Sequence, residues 1–214
     1  MLVKRNCFEI EYDENLTYIP KVIEYLESKM KDIMDFFELK SITPRKIVIY
    51  NDLETYKKQF ERFGRYRDYV CADTNDGNIN LLSLEAAHQT KTHANMSLEE
   101  LKMTISHEFV HICQQEAEVE PEKIEVVWFW EALATNLGNP SMFRKIEIEE
   151  SNDEIANFSS LKNNYLIAFT IGNYLLENYS HDQILEYVRF PKRLINDSSD
   201  ILDKAKGWSI KTKI

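Results

Sequence analysis

The chain has 214 residues, 43% of them hydrophobic and 29% charged, with a formal net charge of −10. That is enough for one domain with a sizeable core, and its five glycines, five prolines and lack of an internal period argue against a loop-rich or repeat-built chain. The acidic balance works against phosphate backbones and anionic membrane surfaces, so no nucleic-acid and no membrane partner is expected.

The opening MLVKRNCFEIEYDEN has its short apolar stretch broken by Lys4, Arg5 and Glu9, and carries no signal-peptide core. No window approaches the length of a membrane span. Cys7, Cys71 and Cys113 are odd in number and share no metal-ligand spacing, so they read as free thiols in a reducing compartment. The expected location is cytoplasmic.

Cys7 to Tyr12 alternates loosely and predicts a first strand. From Pro20 to Leu39 the apolar residues Val22, Ile23, Leu26, Met30, Ile33 and Phe37 recur at helical spacing, which predicts an amphipathic helix. Lys46 to Tyr50 is rich in β-branched residues and bounded by Pro44 and Asn51-Asp52, a strand pattern. A short helix follows through Phe60 and Phe63, ending near Gly64. Tyr69 to Ala72 and Ile79 to Leu84 are strand candidates, and the turn-rich residues 73–78 between them predict an antiparallel hairpin. Glu85 to Asn95 reads as a polar loop holding His88 and His93.

Ser97 and Glu100 form a capping box, in which each side chain satisfies a free backbone donor at a helix start. The helix they open carries Leu98, Leu101, Ile105, Phe109 and Ile112, and runs to about Glu116. A second helix is predicted from Pro121-Glu122 to Gly138, with Pro140 as a stop signal. Glu147 to Glu154 reads as an exposed connector. A third helix spans roughly Leu161 to Tyr179, and Ser180 with Gln183 caps a fourth that reaches Phe190. A small sheet followed by helices is an α+β order.

The first capped helix holds His107-Glu108-Phe109-Val110-His111, an HExxH pattern. Spacing i, i+4 puts the two imidazoles on one helix face, one turn apart, where they can share a tetrahedral zinc ion. Glu108 projects beside them, placed to take a proton from water that the metal has acidified. Catalytic zinc usually has three protein ligands, and the next helix offers Glu131 within the apolar run from Val126 to Ala134. An unpartnered carboxylate buried there would cost on the order of several kcal/mol; a metal ion supplies the partner.

HEFVH, nineteen residues and then Glu131 resembles the gluzincin arrangement of thermolysin-like and aminopeptidase-like metallopeptidases, and WFWEALA resembles the third-ligand segment of small peptidases of the MA clan. The resemblance covers roughly Ile79 to Asn136 and, more weakly, the order of elements on either side. It implies His107, His111 and Glu131 as ligands of one zinc per chain, Glu108 as general base and a peptide or protein substrate. It also implies that Ile79 to Leu84 is the edge strand that aligns an extended substrate by main-chain pairing. Two departures stand out. Ala132 replaces a common glycine, and Thr135, with Asn136 next, occupies the place of an aspartate that orients the first histidine. Gluzincins hold the reaction's oxyanion with a Tyr or His, and Tyr165 resembles the residue that opens the corresponding helix, ahead of Tyr174, Tyr179 and His181.

Bland readings stand beside these. Tyr165 is more often a packed helix aromatic, Trp128 and Trp130 are core anchors, and Cys113 is a buried thiol turned away from the ligand face. His88 and His93 are solvated loop residues, and His181 belongs to a helix start. The expected fold is a minigluzincin-like domain, with sheet and HExxH helix in 1–117 and a helical half in 118–214. The expected function is zinc-dependent peptide hydrolysis. The rival is a non-catalytic zinc-stabilised binding or regulatory module, closed by a fourth ligand such as His88 or His93. Substrate preference and oligomeric state have no signature here.

Overall fold

Short runs of β-branched residues alternating with polar ones build the N-terminal sheet. The computed structural model describes residues 1–61, 70–75, 77–120 and 124–212. It divides into two compact units, Met1–Ile112 and Cys113–Ile214.

The first unit runs β1 (Leu2–Lys4), β2 (Phe8–Glu11), α1 (Ile19–Phe36), β3 (Arg45–Tyr50), α2 (Leu53–Glu61), β4 (Ala72–Asn75), β5 (Asn78–Leu82), α3 (Leu84–Ala87) and α4 (Leu98–Ala117). The sheet order is β1-β2-β3-β5-β4. Its three central strands are parallel and both outer pairs antiparallel, so the sheet is mixed. Ile10, Ile47, Ile79 and Leu81 are buried on it, each contributing about 2 kcal/mol of hydrophobic stabilisation. α1 buries Val22, Ile23, Leu26, Met30 and Ile33, the stripe its periodicity predicts.

Three features of this unit differ from expectation. β1 is an additional strand, too short to register as a pattern. The hairpin is real but tighter: β4 occupies Ala72–Asn75, of which Asp73, Thr74 and Asn75 read as turn in the sequence. Asn75 pairs with Asn78, which leaves a two-residue connection, and Gly77 takes φ +71° there, a conformation only glycine adopts freely. Ladder pairing to β5 overrides the turn preference of Asp, Thr and Asn. Finally, the supposed polar loop begins as α3, capped by the Ser83 side chain accepting from Ala86 N–H and burying Ala86 and Ala87. The expected end of α2 at Phe63 and Gly64, and Tyr69, lie outside the described residues.

Beyond the last turns of α4, the second unit consists of α5 (Val127–Leu137), a 3-10 turn at Pro140–Met142, α6 (Asn152–Ala156), a 3-10 turn at Phe158–Ser160, α7 (Asn164–Asn178), α8 (His181–Arg189) and α9 (Pro191–Lys211). α5 starts at Val127, later than predicted; residues 124–126 are not helical, and Pro121 and Glu122 lie outside the described residues. α5 and α7 meet at Gly172, where a Cβ would stand 2.3 Å from the Ala132 carbonyl oxygen and 2.1 Å from Asn136 Nδ2. Only glycine allows that approach. Asn136 seals the contact by donating to Ala132 O at 2.8 Å and Phe169 O at 3.0 Å, and Asn173 donates to Asn136 Oδ1 at 2.8 Å. The Ser180–Gln183 capping box forms as predicted.

The acidic stretch is no bare connector. Ile148 is 4% exposed, its N–H donates to Ser209 Oγ at 3.2 Å, and Ser151 with Glu154 caps α6. α9 is the largest element without a sequence expectation. It buries Leu194, Ile201, Leu202 and Ala205 along one stripe. No helix among the described residues is long and apolar enough to cross a membrane.

Candidate metal centre

The Ser97–Glu100 capping box sets the start of α4. Glu100 N–H donates to Ser97 Oγ at 3.2 Å, and Ser97 N–H to Glu100 Oε2 at 2.6 Å. Glu99 and Glu100 in the first turn suit the positive end of the helix dipole. From there Leu101, Ile105, Phe109, Val110 and Ile112 are buried on several sides, so the helix is a core element whose rotation is locked by packing. That locking orients its polar residues. His107 is buried, and Glu108 and His111 are half-buried.

The HExxH spacing brings the imidazoles together. Nε2 of His107 and Nε2 of His111 are 3.2 Å apart, with the rings nearly perpendicular at 83°. Two nitrogens each bonded to one tetrahedral zinc at 2.0–2.1 Å would stand about 3.3 Å apart. The pair therefore fits such an ion without rearrangement. The same distance also suits one imidazole N–H donating to the other ring's lone pair, and metal content separates the two.

Glu108 leaves the helix on an adjoining side, toward β4. Thr74 Oγ1 donates to Glu108 Oε2 at 2.7 Å and lies 3.4 Å from the Glu108 carbonyl oxygen. Thr74 had no sequence signal, because it sits inside a stretch whose composition spells a turn. β4 is also the edge strand of the sheet among the described residues, and β5 is internal, between β3 and β4. The edge-strand expectation for Ile79 to Leu84 is thereby corrected: pairing with β4 covers that strand's outer side. Close to this region, burial foremost, and then the Glu108 carboxylate, push the Cys71 thiol up to about 12, so it stays protonated and unreactive.

Glu131 belongs to the second unit, half-buried on α5, whose neighbours Trp128, Phe129, Trp130, Ala132, Leu133 and Ala134 are all buried. Trp128 and Trp130 are core anchors as expected. Gln114, on the last turns of α4, donates through Nε2 to the Trp130 carbonyl at 3.2 Å, which fixes the start of α5 against that end of α4. Thr135 spends its hydroxyl proton on its own helix, on Glu131 O at 2.7 Å. Cys113 is fully buried.

Tyr165 is 44% exposed. Its ring stacks on Phe143 at 6.2 Å and meets Phe158 edge-on. It precedes Gly172, the point where α7 touches α5, by about 10 Å of helical rise. Tyr174 and Tyr179 pack against each other, and His181 is exposed at the start of α8. His88 Nε2 contacts the Met96 carbonyl at 2.8 Å, tying its loop to the approach of α4. Among the described residues neither His88 nor His93 belongs to a group of side chains spaced to share one ion.

Compared with models of known protein families the sequence matches none, and a search of curated proteins finds no match.

Proposed function

We propose that the chain is a zinc-dependent peptidase whose metal ligands are His107, His111 and Glu131 and whose general base is Glu108. The observation that carries this reading is the 3.2 Å spacing of the two Nε2 atoms on the helix that also bears Glu108. A structural pair of histidines has no need of a carboxylate held beside it by a dedicated hydroxyl. Support for Glu131 is that it is the single acidic residue of α5. It also adjoins Trp130, which Gln114 engages three residues beyond His111 on a continuous helix. Two imidazoles and a carboxylate are a donor set that suits zinc and leaves a position for water or substrate.

Bound there, zinc would acidify a water molecule and polarise a substrate carbonyl. The chain's own part follows from its residues. Glu108, accepting from Thr74, takes the proton of the attacking water and returns it to the departing nitrogen. The outer edge of β4 offers main-chain groups to an extended peptide, the substrate class proposed here. Cys7, Cys71 and Cys113, none of them in a disulfide, agree with a reducing, cytoplasmic setting.

Metal analysis of protein purified without added zinc, for wild type, His111→Ala and Glu131→Ala, tests the ligand set. One zinc per chain is expected in wild type, with affinity weakened more than about 100-fold in either variant, since even outer-shell changes cost 10–100-fold. Absence of zinc in wild type after reconstitution would sink the proposal. Zinc lost from a His88→Ala/His93→Ala variant would instead favour a closed, non-catalytic site.

A further inference from the structure

The hydroxyl of Thr74 belongs to neither the ligand set nor the proton transfer, yet it makes a 2.7 Å side-chain contact to Glu108. We infer that Thr74 is the positioning residue for Glu108, fixing the base carboxylate and tying it to the strand that receives substrate; this rests on the peptidase reading above.

Three observations lead there. The bond of 2.7 Å to Oε2 is in the range of a charge-assisted hydroxyl–carboxylate pair. It takes one carboxylate oxygen, leaving Oε1 for a water proton. It also removes the side-chain rotation that a half-buried glutamate otherwise keeps. Thr74 has one proton, and the 3.4 Å contact to the Glu108 carbonyl is too long to compete with Oε2 for it.

The register of the hairpin supplies the second link. Leu82 N–H donates to Cys71 O at 2.9 Å, so residues 71 and 82 are a hydrogen-bonded pair. Pairs alternate along an antiparallel ladder. With Ala72 opposite Leu81 and Thr74 opposite Ile79, the N–H and C=O of Ala72 and Thr74 point away from β5. Among the described residues neither has a main-chain partner there. Thr74 thus turns its main chain to the free edge and its side chain to the base. A substrate strand bonded to that edge is held by the residue that holds Glu108, so substrate register and base position are set together.

β-branching suits both threonine and valine to a strand, so Thr74→Val removes the hydroxyl and keeps shape and main chain. Thr74→Ser keeps the hydroxyl. On an extended peptide substrate, Thr74→Val should lower kcat by roughly 10- to 100-fold with KM nearly unchanged, the scale of a misplaced catalytic group. Thr74→Ser should stay within about threefold of wild type, on the same scale. In protein labelled with 13C at glutamate carboxyls, the Glu108 signal, identified by its loss in Glu108→Gln, should move in Thr74→Val and not in Thr74→Ser at one fixed pH. An active wild type with an unchanged kcat and an unmoved signal in Thr74→Val overturns the positioning role alone. A zinc-loaded wild type that cleaves no peptide overturns the peptidase reading, whatever the carboxyl signal does.

Discussion

The HExxH residues of α4 and the polar residues of α5 and α7 are buried to a similar degree but are satisfied in different ways. For the HExxH residues the contacts run from side chain to side chain: His107 faces His111, and Glu108 accepts from Thr74. In the α5–α7 pair they run mainly to main-chain carbonyls. Thr135 returns its proton to Glu131 O, Asn136 donates to Ala132 O and Phe169 O, and Thr170 donates to Leu166 O. A side chain that bonds to its own scaffold spends its polarity on packing. Side chains that bond to one another keep lone pairs and protons that a substrate or an ion can compete for. Buried polarity by itself therefore does not mark a site; the identity of the partner does.

Substitutions can break that contrast. The largest effect is expected for Glu108→Gln. Turnover should fall between about 10²- and 10⁴-fold, the range for losing a general base, with zinc content and melting temperature unchanged. Full activity in that variant, measured on the same peptide substrates, would dismiss the base assignment. Gly172→Ala should do the reverse. Its new Cβ meets the Ala132 carbonyl oxygen at 2.3 Å, so α5 and α7 must part. A stability loss of about 2–3 kcal/mol is expected despite alanine's better helix propensity. Denaturant unfolding reads the loss, and metal analysis should still find one zinc per chain. The smallest effect is expected for Tyr165→Phe, which keeps the ring against Phe143 and Phe158 and removes only the hydroxyl; kcat should change less than about threefold. A tenfold fall is the outcome that would make that hydroxyl an oxyanion donor, at the scale of one lost hydrogen bond to developing charge.

Legibility from sequence followed the range of the forces involved. Capping boxes at Ser97 and Ser180 are local, complete within four residues, and both form as read. The HExxH pair is equally local, since helix geometry alone brings the imidazoles together. The α+β order was also readable, because helical and strand periodicities occupy separate stretches. What escaped depends on distant partners. β4 was hidden because Asp73, Thr74 and Asn75 prefer turns, and only the ladder with β5 makes them a strand. With the strand hidden, Thr74 was hidden too. α9 was missed because its apolar residues are sparse; Leu194, Ile201, Leu202 and Ala205 form a stripe only when the whole 21-residue helix is considered. The stretch around Ile148 looks solvated in the sequence because its acids outnumber its one buried apolar residue, Ile148.

The division between the two compact units falls inside α4, between Ile112 and Cys113. Anyone dissecting the gene at that boundary would cut a continuous ladder of i→i−4 bonds. Each fragment would then carry a ragged terminus with about four unanswered backbone donors or acceptors. The excised N-terminal piece would end directly after His111, at the turn that must stay wound for the imidazoles to face each other. A dissection that respects the backbone would keep residues 97–117 whole, which leaves no piece of this protein separable by a clean cut there.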